Sequence, residues 1–147
     1  MWDKVSKALK QILDDNALIG NVYNYEASEL TGTPVATLTP SANENEYDST
    51  TENLRTYAFL IRLYMIRGSG ATKEHRAESA MRELVDSVLD DLDKSHRLSD
   101  LESKTGYCFI LLTASPSIWG YSQREDTHRV AEIEVRAVFS VDVTAIS

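Results

Sequence analysis

A chain of 147 residues, 42% of them hydrophobic and 26% charged, is long enough to bury one sizeable core without staples. Its 23 acidic against 15 basic residues give a formal charge of -8, and the scattered lysines and arginines form no basic stripe of the kind that grips a phosphate backbone. One cysteine excludes an internal disulfide and points to cytosolic folding, and no segment approaches the ~20 apolar residues of a membrane span or the apolar core of a signal peptide.

Trp2, Val5, Leu9, Ile12 and Leu13 recur at three- and four-residue spacing, which predicts a helix over residues 2–15, ended by Asn16 and Gly20 and packed on a sheet. Residues 21–27 and 34–38 read as short strands of a meander, joined through the turn Leu30-Thr31-Gly32-Thr33-Pro34. Residues 40–53 (PSANENEYDSTTEN) are polar and acidic, without a hydrophobic period, and read as a loop carrying Glu44, Glu46, Asp48 and Glu52.

Residues 54–67 (LRTYAFLIRLYMIR) place Tyr57, Phe59, Ile61, Leu63 and Met65 on one face of a strand. Ala58, Leu60, Arg62, Tyr64 and Ile66 lie on the other, also mostly apolar, so the strand reads as buried on both sides. Gly68, Ser69 and Gly70 close it, and Thr72 is a fair N-cap for a second helix over about 73–95. Ala77, Met81, Leu84, Val85, Val88, Leu89 and Leu92 form the apolar stripe of that helix. On its charged face, Glu78 and Arg82 are spaced to pair, as are Arg82 and Asp86. Asp90, Asp91 and Asp93 crowd its C-terminus, where the helix dipole disfavours anions, so something beyond local stability keeps them there.

The apolar run 107–114, between Gly106 and Pro116, suits an inner strand with Cys108 as a small buried hydrophobe, a reactive thiol being the alternative. Residues 117–128 connect it to the last strand, 129–144, where Ala131, Ile133, Val135, Ala137, Phe139, Val141 and Val143 face the core. Glu132, Glu134, Arg136, Ser140 and Asp142 face away. The order predicts a single α+β domain over residues 1–147. It has one mostly antiparallel sheet of about five strands (α-β-β-β-α-β-β), with two helices packed on one face.

Catalytic signals are weak. His75, His96 and His128 lack ligand spacing and read as ordinary exposed histidines. One helix cannot aim Asp90, Asp91 and Asp93 at a single cation, and no Gly-x-Ser-x-Gly elbow or phosphate loop occurs. Glu132 and Glu134 could form a carboxylate pair, but with Arg136 in the same row they read as a solvated strand face. No catalytic residue, cofactor or metal site is expected.

The two long strands carry a stronger message. Fourteen extended residues span roughly 46 Å at about 3.3 Å each, whereas a compact chain of this size is roughly 40 Å across. Such strands bend or protrude, and a protruding apolar strand aggregates unless another chain covers it. Tyr64 and Ile66 on the first long strand, with Trp119 and Tyr121 further on, are the candidate subunit-interface residues.

Taken over about residues 9–143, the chain resembles tail terminator, or tail-completion, proteins of long-tailed bacteriophages. The likeness lies in the opening helix, VYNYEASELTGTPVATLTP before the acidic segment and TYAFLIRLYM, the helix AESAMRELVDSVLDDLD, and ASPSIWGYSQREDTHRVAEIEVRAVFSVDV. The resemblance implies a small α+β subunit of the virion that forms a ring of about six copies, stacks on the tail tube protein, stops tube growth and meets a head-side connector or neck protein. It further implies that DNA passes through the hole without specific binding; the loop carrying Glu44, Glu46, Asp48 and Glu52 is expected to face either the lumen or the adjoining ring, a floppy outer loop being the alternative. A tube subunit or neck adaptor is the near alternative. A small-ligand enzyme or binding domain, with a pocket built from Tyr57, Tyr107, Trp119 and Glu134, is the distant one.

Overall fold

A computed structural model describes residues 1–27, 34–47, 51–66, 71–95, 98, 101–121 and 128–146. Its elements are α1 (Trp2–Asp14), β1 (Asn21–Tyr23), β2 (Val35–Tyr47), β3 (Glu52–Ile66), α2 (Ala71–Lys94), β4 (Tyr107–Tyr121) and β5 (His128–Asp142). They build one five-stranded sheet in the order β1-β2-β3-β5-β4, antiparallel except where β1 runs parallel to β2. The α+β architecture expected from the sequence is the one observed.

The core lies between the helices and one face of the sheet. Val5, Ala8, Leu9 and Leu13 of α1 and Met81, Leu84, Val85, Val88 and Leu92 of α2 bury against Tyr57, Phe59, Ile61 and Leu63 of β3 and the odd-numbered residues of β5. Period-two alternation in the strands and a three-to-four residue stripe on each helix bring these side chains together. Trp2 anchors α1 by edge-on ring contacts with Tyr57 and Phe59, at 4.9 and 5.1 Å between centroids.

Asn16 stops α1 and ties the helices together. Its amide donates to Asp91 Oδ2 (2.7 Å) and Ser87 Oγ (3.0 Å), while its Oδ1 accepts from the Leu18 N–H (2.9 Å). This gives Asp91 a reason to sit near the α2 C-terminus despite the dipole. Arg129 of β5 pairs with Glu78 of α2, and Glu78 also meets Arg82 one turn on at 3.5 Å.

Several expectations need correction. The meander is absent: β1 is three residues long and runs parallel to β2, a pairing that a tight hairpin cannot connect. The turn expected at 30–34 lies mostly outside the described residues. The loop expected over 40–53 is largely strand, since β2 continues to Tyr47 and β3 already begins at Glu52. A bulge at Pro40/Ala42, where proline cannot donate to the ladder, bends β2 into this extension.

Polar contacts hold the extension in place of apolar packing. Asn45 Oδ1 accepts from Asn53 Nδ2 and from Arg55 Nε, both at 2.9 Å, and Asn43 Nδ2 donates to the Thr56 carbonyl at 3.2 Å. At the far side, β4 is an edge strand and runs to Tyr121, well past the expected end at residue 114. Two bulges, at Phe109/Leu111 and Pro116/Trp119, shift its alternation by a residue and hide its length from a period count. Gly106, in the left-handed region at φ 85°, precedes it, and its carbonyl accepts from the Asp142 N–H at 2.7 Å.

Candidate assembly surface

Strand pairing decides which side chains share the face turned away from the helices. Arg62 lies opposite Glu132, Leu60 opposite Glu134, Ala58 opposite Arg136, and Thr56 opposite both Glu44 and Val138. Leu54 stands opposite Glu46 and Ser140, and Glu52 opposite Asp142. Glu44, Glu46 and Glu52, singled out in the sequence as one acidic group, therefore stand on one sheet face with Glu132 and Glu134. Asp48 lies outside the described residues.

Two arginines organise the carboxylates on this face. Arg62 bridges Glu132 (2.9 Å) and Glu26 (3.0 Å), and Glu26 also accepts from the Tyr64 hydroxyl at 2.7 Å and from Thr37 at 3.2 Å. Arg136 bridges Glu134 (2.7 Å) and Glu44 (2.9 Å). Burial works against the charge on Arg62, but the hydrogen bonds to Glu132 and Glu26 outweigh it and hold the guanidinium above its usual range. Glu44, with Glu134, raises Arg136 in the same way. Among the described residues two arginines face six glutamates (Glu26, Glu44, Glu46, Glu52, Glu132 and Glu134), and none of the five strands contains a lysine, so the described part of this side is net acidic.

Among the described residues both outer edges of the sheet lack a strand partner over most of their length; on this face Val35, Thr37, Ala58 and Tyr64 are buried, whereas Glu44 and Glu46 are exposed and Glu132 and Glu134 half-buried. β1 covers β2 only over Val35–Thr37, so among the described residues the outer edge of β2 has no strand partner from residue 38 to residue 47. β4 pairs with β5 on one side and with no described strand on the other. Its residues 107–121 (YCFILLTASPSIWGY) contain no charge, and Ile110 and Leu111 are 47% and 40% exposed. Such an edge lacks the lysines and inward charges with which soluble proteins block edge-to-edge pairing, Pro116 and the two bulges being its safeguards.

Tyr64 is 4% exposed and bonded to Glu26 of its own chain, which withdraws it from the set of surface contacts. Ile66 ends β3 opposite His128, and Trp119 and Tyr121 lie on β4 opposite Ala131 and Arg129; their side chains lie outside the description. Cys108 is exposed, contrary to its expected burial, because on an edge strand its side of the alternation faces outward beside Ser140. His128 is buried, with its ring edge-on to Tyr64 at 6.4 Å, and is not the exposed histidine expected. His75 and His96 lie outside the described side chains.

The pocket imagined for an enzyme does not assemble. Tyr57 and Tyr107 stand on the helix face and Glu134 on the opposite one, so the sheet separates them. Tyr57 belongs to an aromatic layer with Trp2 and Phe139, and burial pushes its phenol above the usual range. The clefts on the surface are open, such as one of about 280 Å³ beside Leu98, Leu101, Tyr107, Phe109 and Phe139. Among the described residues no group of three or more His, Cys, Asp or Glu is placed to hold a metal ion, and no helix is long and apolar enough to cross a membrane.

No protein-family model matches this chain, and no curated protein matches it. Among solved structures, it is similar to a chain in the virion of a native gene transfer agent particle, with a TM-score of 0.58 and 16% sequence identity over 92% of this chain and 94% of that one. At that identity the likeness shows a shared fold, and it extends over almost the whole of both chains.

Proposed function

We propose that this chain is a non-enzymatic structural subunit of a phage-type virion, a tail terminator or tail-completion protein. Six copies close into a ring that caps the tail tube, stops its growth and joins the tail to the head-side connector or neck. The observation that carries this reading is the unfinished sheet: among the described residues, a well-packed subunit leaves the outer edge of β4, and that of β2 beyond Thr37, without strand partners, beside an acidic face on which Glu44, Glu46 and Glu52 are exposed. The fold likeness to a chain of a gene transfer agent virion supports the same reading, as does the resemblance in the order of elements along the sequence.

On this reading the acidic face lines the bore. Glu44, Glu46 and Glu52, with Glu132 and Glu134, present carboxylates where a passing duplex has to slide, and the absence of strand lysines removes the contacts that would hold phosphates. Ile66, Trp119 and Tyr121 belong to the subunit interface. The subunit is made in the host cytoplasm and works at the head-proximal end of the tail.

The test is the mass of the purified protein by light scattering over a concentration range, with electron microscopy of the same sample. Closed rings of about six 16.5 kDa chains support a terminator. Long tubes make the chain a tube subunit, and a monomer at every attainable concentration overturns the assembly reading.

A further inference from the structure

We propose that neighbouring copies join head to tail through main-chain pairing, the outer edge of β4 in one copy receiving the outer edge of β2, over about residues 39–46, of the next. This rests on the ring reading above and names the strands that make the contact.

Direction is the first argument. β2, β3, β5 and β4 lie side by side and alternate in sense throughout, so a copy added beyond β4 with its own β2 leading continues the antiparallel ladder without a break. Position is the second. Residues 39–47 of β2, the first half of β3, the last half of β5 and residues 107–115 of β4 share one end of the sheet, as their registers show, and both free edges are found at that end. Because the two edges are different surfaces, their union is heterologous and repeats from copy to copy, the kind of contact that a closed ring of identical subunits requires.

Chemistry selects the pairing among the alternatives. Two β2 edges brought together would set Glu44 and Glu46 against their own copies, a like-charge cost. Two β4 edges brought together would give an isolated dimer and leave both β2 edges bare. A β2 edge against β4 sets glutamates beside the uncharged outward row of Cys108, Leu111 and Thr113, and shields Ile110 and Leu111 from water.

The single native thiol makes this testable. Cys108 is exposed and points to the acidic face, the same side as Thr39, Ala42, Glu44 and Glu46 of β2. Each of those four is replaced in turn by cysteine (Thr39→Cys, Ala42→Cys, Glu44→Cys, Glu46→Cys), and the assembled protein is oxidised mildly and run on a non-reducing gel. Only cysteines with Cα atoms roughly 4.4–6.8 Å apart can bridge. At least one variant is expected to give a covalent ladder rising to the full ring, while Asn43→Cys, on the opposite side of the strand, gives none. Rings that form but never cross-link at any of the four positions overturn this pairing and leave the ring itself standing. A covalent dimer from the unaltered protein, through Cys108 alone, indicates paired β4 edges and also overturns it. If no rings form at all, it is the ring reading that has failed.

Discussion

Phe139 of β5 is the side chain whose removal tests the described packing most sharply. It is 1% exposed, and three rings meet it edge-on: Phe109 at 5.4 Å, Tyr57 at 5.7 Å and Tyr107 at 6.2 Å between centroids. Phe139→Ala removes a buried ring, typically costing about 3–5 kcal/mol through lost transfer energy and the cavity left behind. Three aromatic contacts, each contributing about 0.5–1.5 kcal/mol beyond area in other proteins, place this site towards the upper end of that range.

A domain of this size has a total stability of about 10 kcal/mol, so the variant loses a third to a half of it. With a urea dependence of about 2 kcal/mol per molar, the unfolding midpoint falls by roughly 2 M. Phe139→Leu, which keeps most of the volume, falls by less than half as much. The assay is equilibrium urea unfolding followed by far-UV circular dichroism. A shift under about 0.5 M for the alanine variant, with unchanged slope, would show that the ring is not enclosed as described and would refute the packing of β4 and β5 on the helices.

Further outcomes follow from the same structure. Asn16→Ala leaves Ser87 and Asp91 without their shared donor and should lower stability by about 1–3 kcal/mol, checked by the same unfolding measurement. Asp142 is held below the ordinary aspartate range by the Thr144 hydroxyl and backbone N–H, so its contribution is present above pH ~4 and disappears as pH falls through the folded-state value. NMR titration of Thr144→Val should therefore show the Asp142 midpoint rising towards the ordinary value. Replacing Glu46 and Glu134 together by lysine should give rings that retain duplex DNA at low salt and release it as salt rises, while unaltered rings retain none. Equal retention by both would remove these residues from the bore.

Elements whose stabilisation is hydrophobic were legible in the sequence, and those built on other contacts were not. The stripes of α1 and α2 and the alternation of β5 identified their buried residues, since burial there depends on side-chain period alone. The β2 extension escaped because its ladder is polar: Asn43 and Asn45 point to one side and Glu44 and Glu46 to the other. The period is present in the letters but invisible to hydropathy. β4 looked like a short inner strand because a bulge at Ile110 merges its inward row (Tyr107, Phe109, Leu112, Ala114) with its outward one (Cys108, Leu111, Thr113) into one apolar run. Pro116, read as a stop, was the available sign that this strand lies at an edge.

Of the candidate site, the acidic group was recognised but its setting was not. Glu44 and Glu46 were grouped by neighbourhood in sequence, whereas strand pairing sets them on one face with Glu132 and Glu134, and Arg136 joins Glu44 to Glu134, some ninety residues away. Tyr64 was misplaced as a surface contact because its partner Glu26 comes from the segment after β1, 38 residues earlier, a relation no local pattern carries.

A cryo-electron-microscopy map of the ring measures directly where the acidic sheet face points in the assembled particle. The expected map shows about six copies with Glu44, Glu132 and Glu134 of each facing a continuous bore. A ring with these carboxylates on its outer rim, or with the helices lining the hole, would contradict it.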